Sequence, residues 1–219
     1  ARRVNPVGGS AAMKLTNVTF SGNTASGINH FGGAMVNEGV GATPVITNTI
    51  FWGDAANAQP EFYNVVSAQP TFSHSIVAGS GGSAAWNTTF GVDGGGNLDV
   101  DPQLGALADN GGFAPTMLPA STSSVIDAGD DSVCPAVDQR GVTRPQGAHC
   151  DIGALEVVVP HRCYVNRAAS GANDGFAWAS AYANLQSALG DANCNEIWVA
   201  KGVYKPAAST TDRSATFSI

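Results

Sequence analysis

The sequence predicts an all-β chain wound as a right-handed parallel β-helix, with one capping α-helix near its C-terminus. Three observations predict it: a strand-like segment that recurs three times, a turn signal closing each copy, and a composition rich in turn formers and poor in charge. KLTNVTFSGN (14–23), VITNTIFWGD (45–54) and TFSHSIVAGS (71–80) align without gaps. In each, apolar residues alternate with Thr, Ser or Asn, the period of a half-buried strand. Shorter strand-like pieces, GAMVN (33–37) and EFYNVV (61–66), lie between them. A unit of this size cannot bury its apolar face alone, but it can do so by stacking on copies of itself. Asn17, Asn48 and His74 share one repeat position and would form a stacked ladder of side-chain hydrogen bonds. A β-sandwich with coincidentally similar strands is the competing fold, kept open by the unequal spacing. Leucine-rich repeats are excluded, because no LxxLxL pattern occurs.

Composition narrows the function classes. Charged residues make up only 12% of the chain, and 27 glycines help to fill the gap, a mixture suited to short strands and tight turns. The net charge of −7 argues against nucleic acid, which needs a basic stripe. No apolar run approaches a membrane span. The opening ARRVNPVGG shows no apolar signal core, so an export signal would be removed or lie elsewhere. The four cysteines fall into two local pairs, Cys134 with Cys150 and Cys163 with Cys194. An even count with no CxxC and no histidine cluster points to disulfides, buried thiols being the alternative. Asn17-Val-Thr19 and Asn87-Thr-Thr89 match the glycosylation triplet, a pattern common by chance in such a chain.

Between Ser124 and Glu156 the chain reads SVIDAGDDSVCPAVDQRGVTRPQGAHCDIGALE. The pieces IDAGD (126–130), DQRG (138–141), RP (144–145) and CDIGALE (150–156), with DPQLG (101–105) upstream, resemble the terminal segment of bacterial β-helix surface proteins that carry a choice-of-anchor Q domain. That resemblance spans most of residues 10–156 and implies a segment that closes the C-terminal end of the coil. Read from the residues alone, Arg140 and Arg144 lie close in sequence to Asp127, Asp138 and Asp151 and would form cap salt bridges, braced by Cys134–Cys150. The Asp-rich GDDS and DVD offer the hard oxygen ligands of a calcium ion as the alternative. No other cofactor is expected.

Residues 157–219 form a second unit after the rungs and closing segment of 1–156. CYVNRAASGANDGFAWASAYANLQSALGDANCNEIWVAKGVYKP resembles the opening of the same class of β-helix protein. It reads as a first strand, then a helix bearing Trp178, Tyr182, Leu185 and Leu189 on one face and capped by Asp174, then the core strand EIWVAKGVYK. The helix would cover the open end of a coil, Trp178 and Trp198 would pack beneath it, and Cys163–Cys194 would pin it to the sheet. A closing segment thus precedes an opening one, and the chain stops at TFSI (216–219) where rungs would begin. Two explanations compete: a window on tandem β-helix domains, or a permutation whose last strand pairs with another subunit.

An enzyme is not expected. The repeat region, residues 10–80, carries only Lys14, Glu38, Asp54 and Glu61 as charged side chains, too few for lyase or glycosidase chemistry. Neither Gly-His-Gly nor Arg-x-Lys occurs, the four histidines lack metal-ligand spacing, and GxSxG and P-loop motifs are absent. The expectation is an extracellular or cell-surface structural or adhesive protein that assembles end to end with itself or in tandem. The alternatives are a carbohydrate-binding or pectate-lyase-like module, with Trp52 and Asp54 beside a groove, and an adhesin that uses loops 80–97.

Overall fold

The computed structural model describes residues 2–4, 13–28, 30–38, 41–65, 68–158, 160–191, 193–206 and 216–217. They fall into two compact units, Ala1–Val157 and Val158–Ile219. The last residues of the strand expected at 216–219 lie outside the described residues.

The first unit is a parallel β-helix. Its strands are β1 (Arg2–Val4), β2 (Lys14–Thr16), β3 (Thr19–Ser21), β4 (Met35–Glu38), β5 (Val45–Thr47), β6 (Ile50–Trp52), β7 (Phe62–Val65), β8 (Thr71–Ser73), β9 (Ile76–Val77) and β10 (Val92–Asp93). They form three parallel sheets, β1-β4-β7, β2-β5-β8-β10 and β3-β6-β9. The repeat set this register: Leu15 lies over Ile46 and Phe72, and Phe20 over Phe51 and Val77. Asn17, Asn48 and His74 mark the corner between the second and third sheets, at φ of 52°, 50° and 43°. Asn tolerates this left-handed corner because its short amide can bond locally.

Phe51 is fully buried at the centre of the coil, stacked on Phe20 at 4.9 Å and edge-on to Phe62 and Phe72. Its neighbour Ile50 points the other way, as strand alternation requires, and is also fully buried. Ile50 and Ile76 join Val125 and Ile152 of the closing segment in a second apolar cluster, with Trp52, Leu98 and Leu104 at its margin.

The closing segment is therefore not the end cap that the resemblance implied. It lies along the flank of the coil, covering outward apolar residues of β6 and β9 that would otherwise face water. The end beyond β8 is plugged instead by Trp86 and Phe90, packed against Phe72. Trp86 donates its indole N–H to the Gly91 carbonyl at 2.9 Å.

Two motif glycines explain how closely the cover sits. A Cβ on Gly153 (φ +102°) would lie 2.7 Å from Ile50 Cδ1 and 2.9 Å from Thr19 Oγ1. One on Gly129 would lie 2.7 Å from the Cys150 carbonyl. Gly153→Ala is expected to destabilise by about 1–3 kcal/mol through overpacking, beyond the backbone strain it shares with Gly141→Ala, where φ is +90° and the space is open. Thermal unfolding of the two variants side by side measures that difference.

In the second unit β11 (His161–Val165) and β12 (Cys194–Val199) pair in parallel, with α1 (Leu185–Leu189) packed on both. The helix has five residues and is capped by Asn184, whose side chain accepts from Gln186 N. Asp174 caps nothing there; it accepts from Phe176 N in its own turn. Trp178 and Tyr182 precede the helix, so the expected four-residue face does not form. Tyr182 and Leu185 pack on Cys163, Val165 and Ala188, while Leu189 is half-buried. Ala-Ser-Ala-Tyr-Ala had read as helix, but here backbone bonding to β11 wins: Tyr182 N donates to Tyr164 O and Asn166 N to Tyr182 O, both at 2.9 Å.

Candidate functional site

Both disulfides form as paired from the sequence, Cys134–Cys150 and Cys163–Cys194. The second joins β11 to β12 directly; it does not pin the helix to the sheet.

The ladder forms only in part. Asn48 Nδ2 donates to Asn17 Oδ1 at 3.1 Å, and Asn17 Nδ2 donates to the Asp151 carbonyl at 2.9 Å. His74 does not extend it. The Asn48 amide is already engaged by Asn17 and by the Asp130 backbone, donating to its carbonyl and accepting from its N–H. His74 Nδ1 is left buried without a hydrogen bond. Asn17 is buried in this corner, so its glycosylation triplet is internal.

The cap pairs are also revised. Arg140 pairs with Asp138 at 2.8 Å as expected. Arg144 instead pairs with Glu156 at 2.9 Å and donates to the carbonyls of Asp151 and Gly153. Both Arg144 and Glu156 side chains are almost wholly buried, at 1% and 0% exposure. Asp127 and Asp151 act as acceptors of backbone N–H groups: Asp127 from His149, and Asp151 from Asp127 and Val157. Asp138 holds Arg140 N, Val142 N and Glu156 N as well. The segment thus folds around its own carboxylates, which terminate backbone donors that no strand could satisfy. Burial drives the Asp151 carboxyl up to about 7 and raises that of Glu156 despite Arg144 beside it. Glu156 was the residue missed from sequence, its signal being the final Glu of CDIGALE.

The acidic runs considered for calcium are spent on turns. Asp130 accepts from Ser132 N, Asp131 from Cys150 N and His149 Nδ1, Asp99 from Gly79 N and Gly81 N, and Asp101 from Gln103 N.

A closer acidic pair was not singled out from sequence. Asp54 and Glu61, at 6% and 4% exposure, meet beside the turn after β6. Glu61 accepts from Gly53 N at 2.9 Å, and Asp54 Oδ1 takes both the N–H and the amide of Asn23 at 2.7 Å. Burial, reinforced by the Asp54 carboxyl, lifts Glu61 to about 7. Both carboxyls are thus held side by side and away from solvent.

Trp52 is half-buried under the flank cover, not the exposed ring expected. The exposed indoles are Trp178 and Trp198, at 44% and 43%, which were expected in the core. Alternation explains this: Cys163 and Val165 face α1, leaving Arg162, Tyr164, Glu196 and Trp198 on the outer face. Arg162 stacks 3.9 Å over Trp198 and pairs with Glu196.

Among the described residues, no strand pairs with the outer edges of β1, β2 and β3. Met13, Leu15 and Phe20 are only partly buried there, whereas Ile46, Phe51, Phe72 and Val77 in later turns are fully buried. In the second unit the outer edge of β11 is occupied by Gly175 and Tyr182. No strand among the described residues lies on the outer edge of β12.

No family model, curated protein or solved structure matches the chain. Its class is defined by the fold: a parallel β-helix braced by disulfides. Among the described residues, no helix is long and apolar enough to cross a membrane.

Proposed function

We propose that this chain is an extracellular structural or adhesive β-helix that assembles end to end, each copy extending the coil of the next. The observation that carries this reading is the polarity of its strand edges. Among the described residues no strand pairs with the leading edge of the first unit at β1–β3, and Trp86 and Phe90 plug its trailing end. The second unit does the reverse: Gly175 and Tyr182 close the leading edge of β11, and among the described residues no strand pairs with the trailing edge of β12. A parallel edge is a template for another strand, and these two edges have the complementary sense needed for β12 of one copy to precede β1–β3 of another. Heterologous contacts of this kind propagate into filaments when they do not close. Two disulfides and low charge suit an oxidising exterior.

Electron microscopy of the native chain across concentration tests the proposal. Linear assemblies with a regular axial repeat are expected. Leu15→Lys, which places a charge on the open end, is expected to leave monomers of unchanged circular dichroism, while Val100→Lys, on an exposed residue beyond the last turn, assembles normally. Monodisperse monomers of the native chain at every concentration, or fibres indifferent to Leu15→Lys, would overturn the reading.

A further inference from the structure

We propose that the second unit holds a latent zinc site, formed by His161, Cys163, Cys194 and Asp191 once the Cys163–Cys194 disulfide is reduced. The observation is a convergence of ligand atoms of the type zinc selects. His161 Nε2 lies 3.6 Å from Cys163 Sγ, and Asp191 Oδ2 lies 4.0 Å from the same sulfur. All three atoms fall within 4.8 Å of one another. Metal–ligand bonds of about 2.0–2.3 Å in a tetrahedron place its ligand atoms about 3.3–3.8 Å apart, so these three already approximate one face. Cys194 supplies the fourth ligand, since its sulfur is bonded to that of Cys163. Rotation of its side chain after reduction, from bonded to van der Waals separation, would complete the set.

The surroundings are built as a metal site needs. Asp191 Oδ2 accepts from the Tyr182 hydroxyl at 2.8 Å and Oδ1 from Asn193 N at 2.9 Å, which fixes the carboxylate toward the sulfurs. The His161 ring stacks on Phe176 at 4.2 Å. Val165, Ala188, Leu185 and Ile197 make the neighbourhood apolar, and such outer-shell order is what tunes affinity. The other disulfide lacks this: Cys134 and Cys150 have Asn17 and Asn48 as side-chain neighbours.

The chemistry balances simply. A dithiol reductant gives two electrons and two protons to the disulfide and closes to its own cyclic disulfide. Zinc then binds the two thiols, releasing their protons to solvent as thiolates form. One cross-link between β11 and β12 is exchanged for another, so the sheet stays joined in a reducing compartment, before oxidation, as well as outside.

Cobalt(II) titration of the full chain tests this, with zinc as competitor. The oxidised chain is expected to bind no cobalt at this site. After reduction and removal of the dithiol, it is expected to bind one equivalent with the intense visible bands of tetrahedral cobalt and a thiolate charge-transfer band, both abolished by zinc. His161→Asn keeps the disulfide and so folds when oxidised; after reduction it is expected to bind at least about tenfold more weakly. A Cys134→Ser/Cys150→Ser chain is expected to retain the bands. Failure of the reduced chain to give tetrahedral cobalt, bands that survive Cys163→Ser/Cys194→Ser, or affinity unmoved by His161→Asn would overturn the proposal. None of these readouts depends on assembly.

Discussion

Arg144→Met is expected to cost about 3–5 kcal/mol, the largest loss of any single polar substitution in the flank cover. The guanidinium is 1% exposed and bonds Glu156 and the carbonyls of Asp151 and Gly153. Methionine fills much of the same volume, so the loss reports charge and hydrogen bonding more than a cavity. Its removal strands the Glu156 carboxylate, which is wholly buried and still bound by Gln146 N and Asp151 N. Those two donors keep Glu156 in place, so it cannot swing out to water. Arg144→Met/Glu156→Gln is therefore expected to lose less than Arg144→Met alone, because the amide keeps an acceptor for Gln146 N without a buried charge. Urea unfolding of both variants decides it; a single variant within 1 kcal/mol of the native chain would show that the pair is not a strut. The expected site of failure is local. Asp151, Gly153 and Ile152 tie the cover to Asn17 and Ile50, so losing Arg144 exposes β6 and β9 before the coil itself opens.

Much of the coil was legible because its rule is simple. Period-two alternation with a turn signal at a recurring offset fixes which strands stack, and the Asn or His at each corner marks the left-handed residue. The flank cover was not legible, because Ile50 and Phe51 are both apolar and only the structure shows that they face opposite ways. A sequence scan reads IF as core and leaves nothing for the closing segment to cover. The polar network was half legible. Arg140 with Asp138 follows from proximity, but Arg144 with Glu156 depends on a turn that brings residue 156 back beneath residue 144. The Asp54–Glu61 pair escaped notice since seven residues and a strand end separate two acids that look solvent-facing in isolation. In the second unit the spacing of Trp178, Tyr182, Leu185 and Leu189 fits a helix, yet Gly175 and Tyr182 make strand-like bonds to β11 instead. Tertiary pairing overrode a genuine helical period there.

Stability is expected to fall by about 2–3 kcal/mol for each of two buried carboxyls as pH rises from 5 to 8. Burial, with the Asp54 carboxyl adding to it, raises Glu61 to about 7, and burial raises Asp151 to about 7. A group whose folded pKa is raised binds its proton more tightly in the native chain than in the unfolded one. Its contribution is therefore complete below the ordinary carboxyl range and is lost as pH climbs to about 7. The opposite sense holds for Asp130, Asp131 and Asp138, whose carboxyls are held below the usual range by hydrogen bonds, from Ser132, from His149 and Cys150, and, against burial at Asp138, from Glu156 N and Arg140. They stabilise above that range and are lost in stronger acid. The two sets together place maximal stability near about pH 5, on the acid side of neutrality. Glu61→Gln separates the contributions. Glutamine can still accept from Gly53 N and brings no charge into the buried site, while its Nε2 gives up the 3.4 Å bond that Asp54 N donates to Glu61 Oε2. Relative to the native chain the variant is expected to gain stability between pH 5 and pH 8, and to lose the share of the native pH dependence that Glu61 supplies. Urea midpoints across that range measure the slope. Parallel profiles for the two chains would mean that Glu61 is ionised throughout.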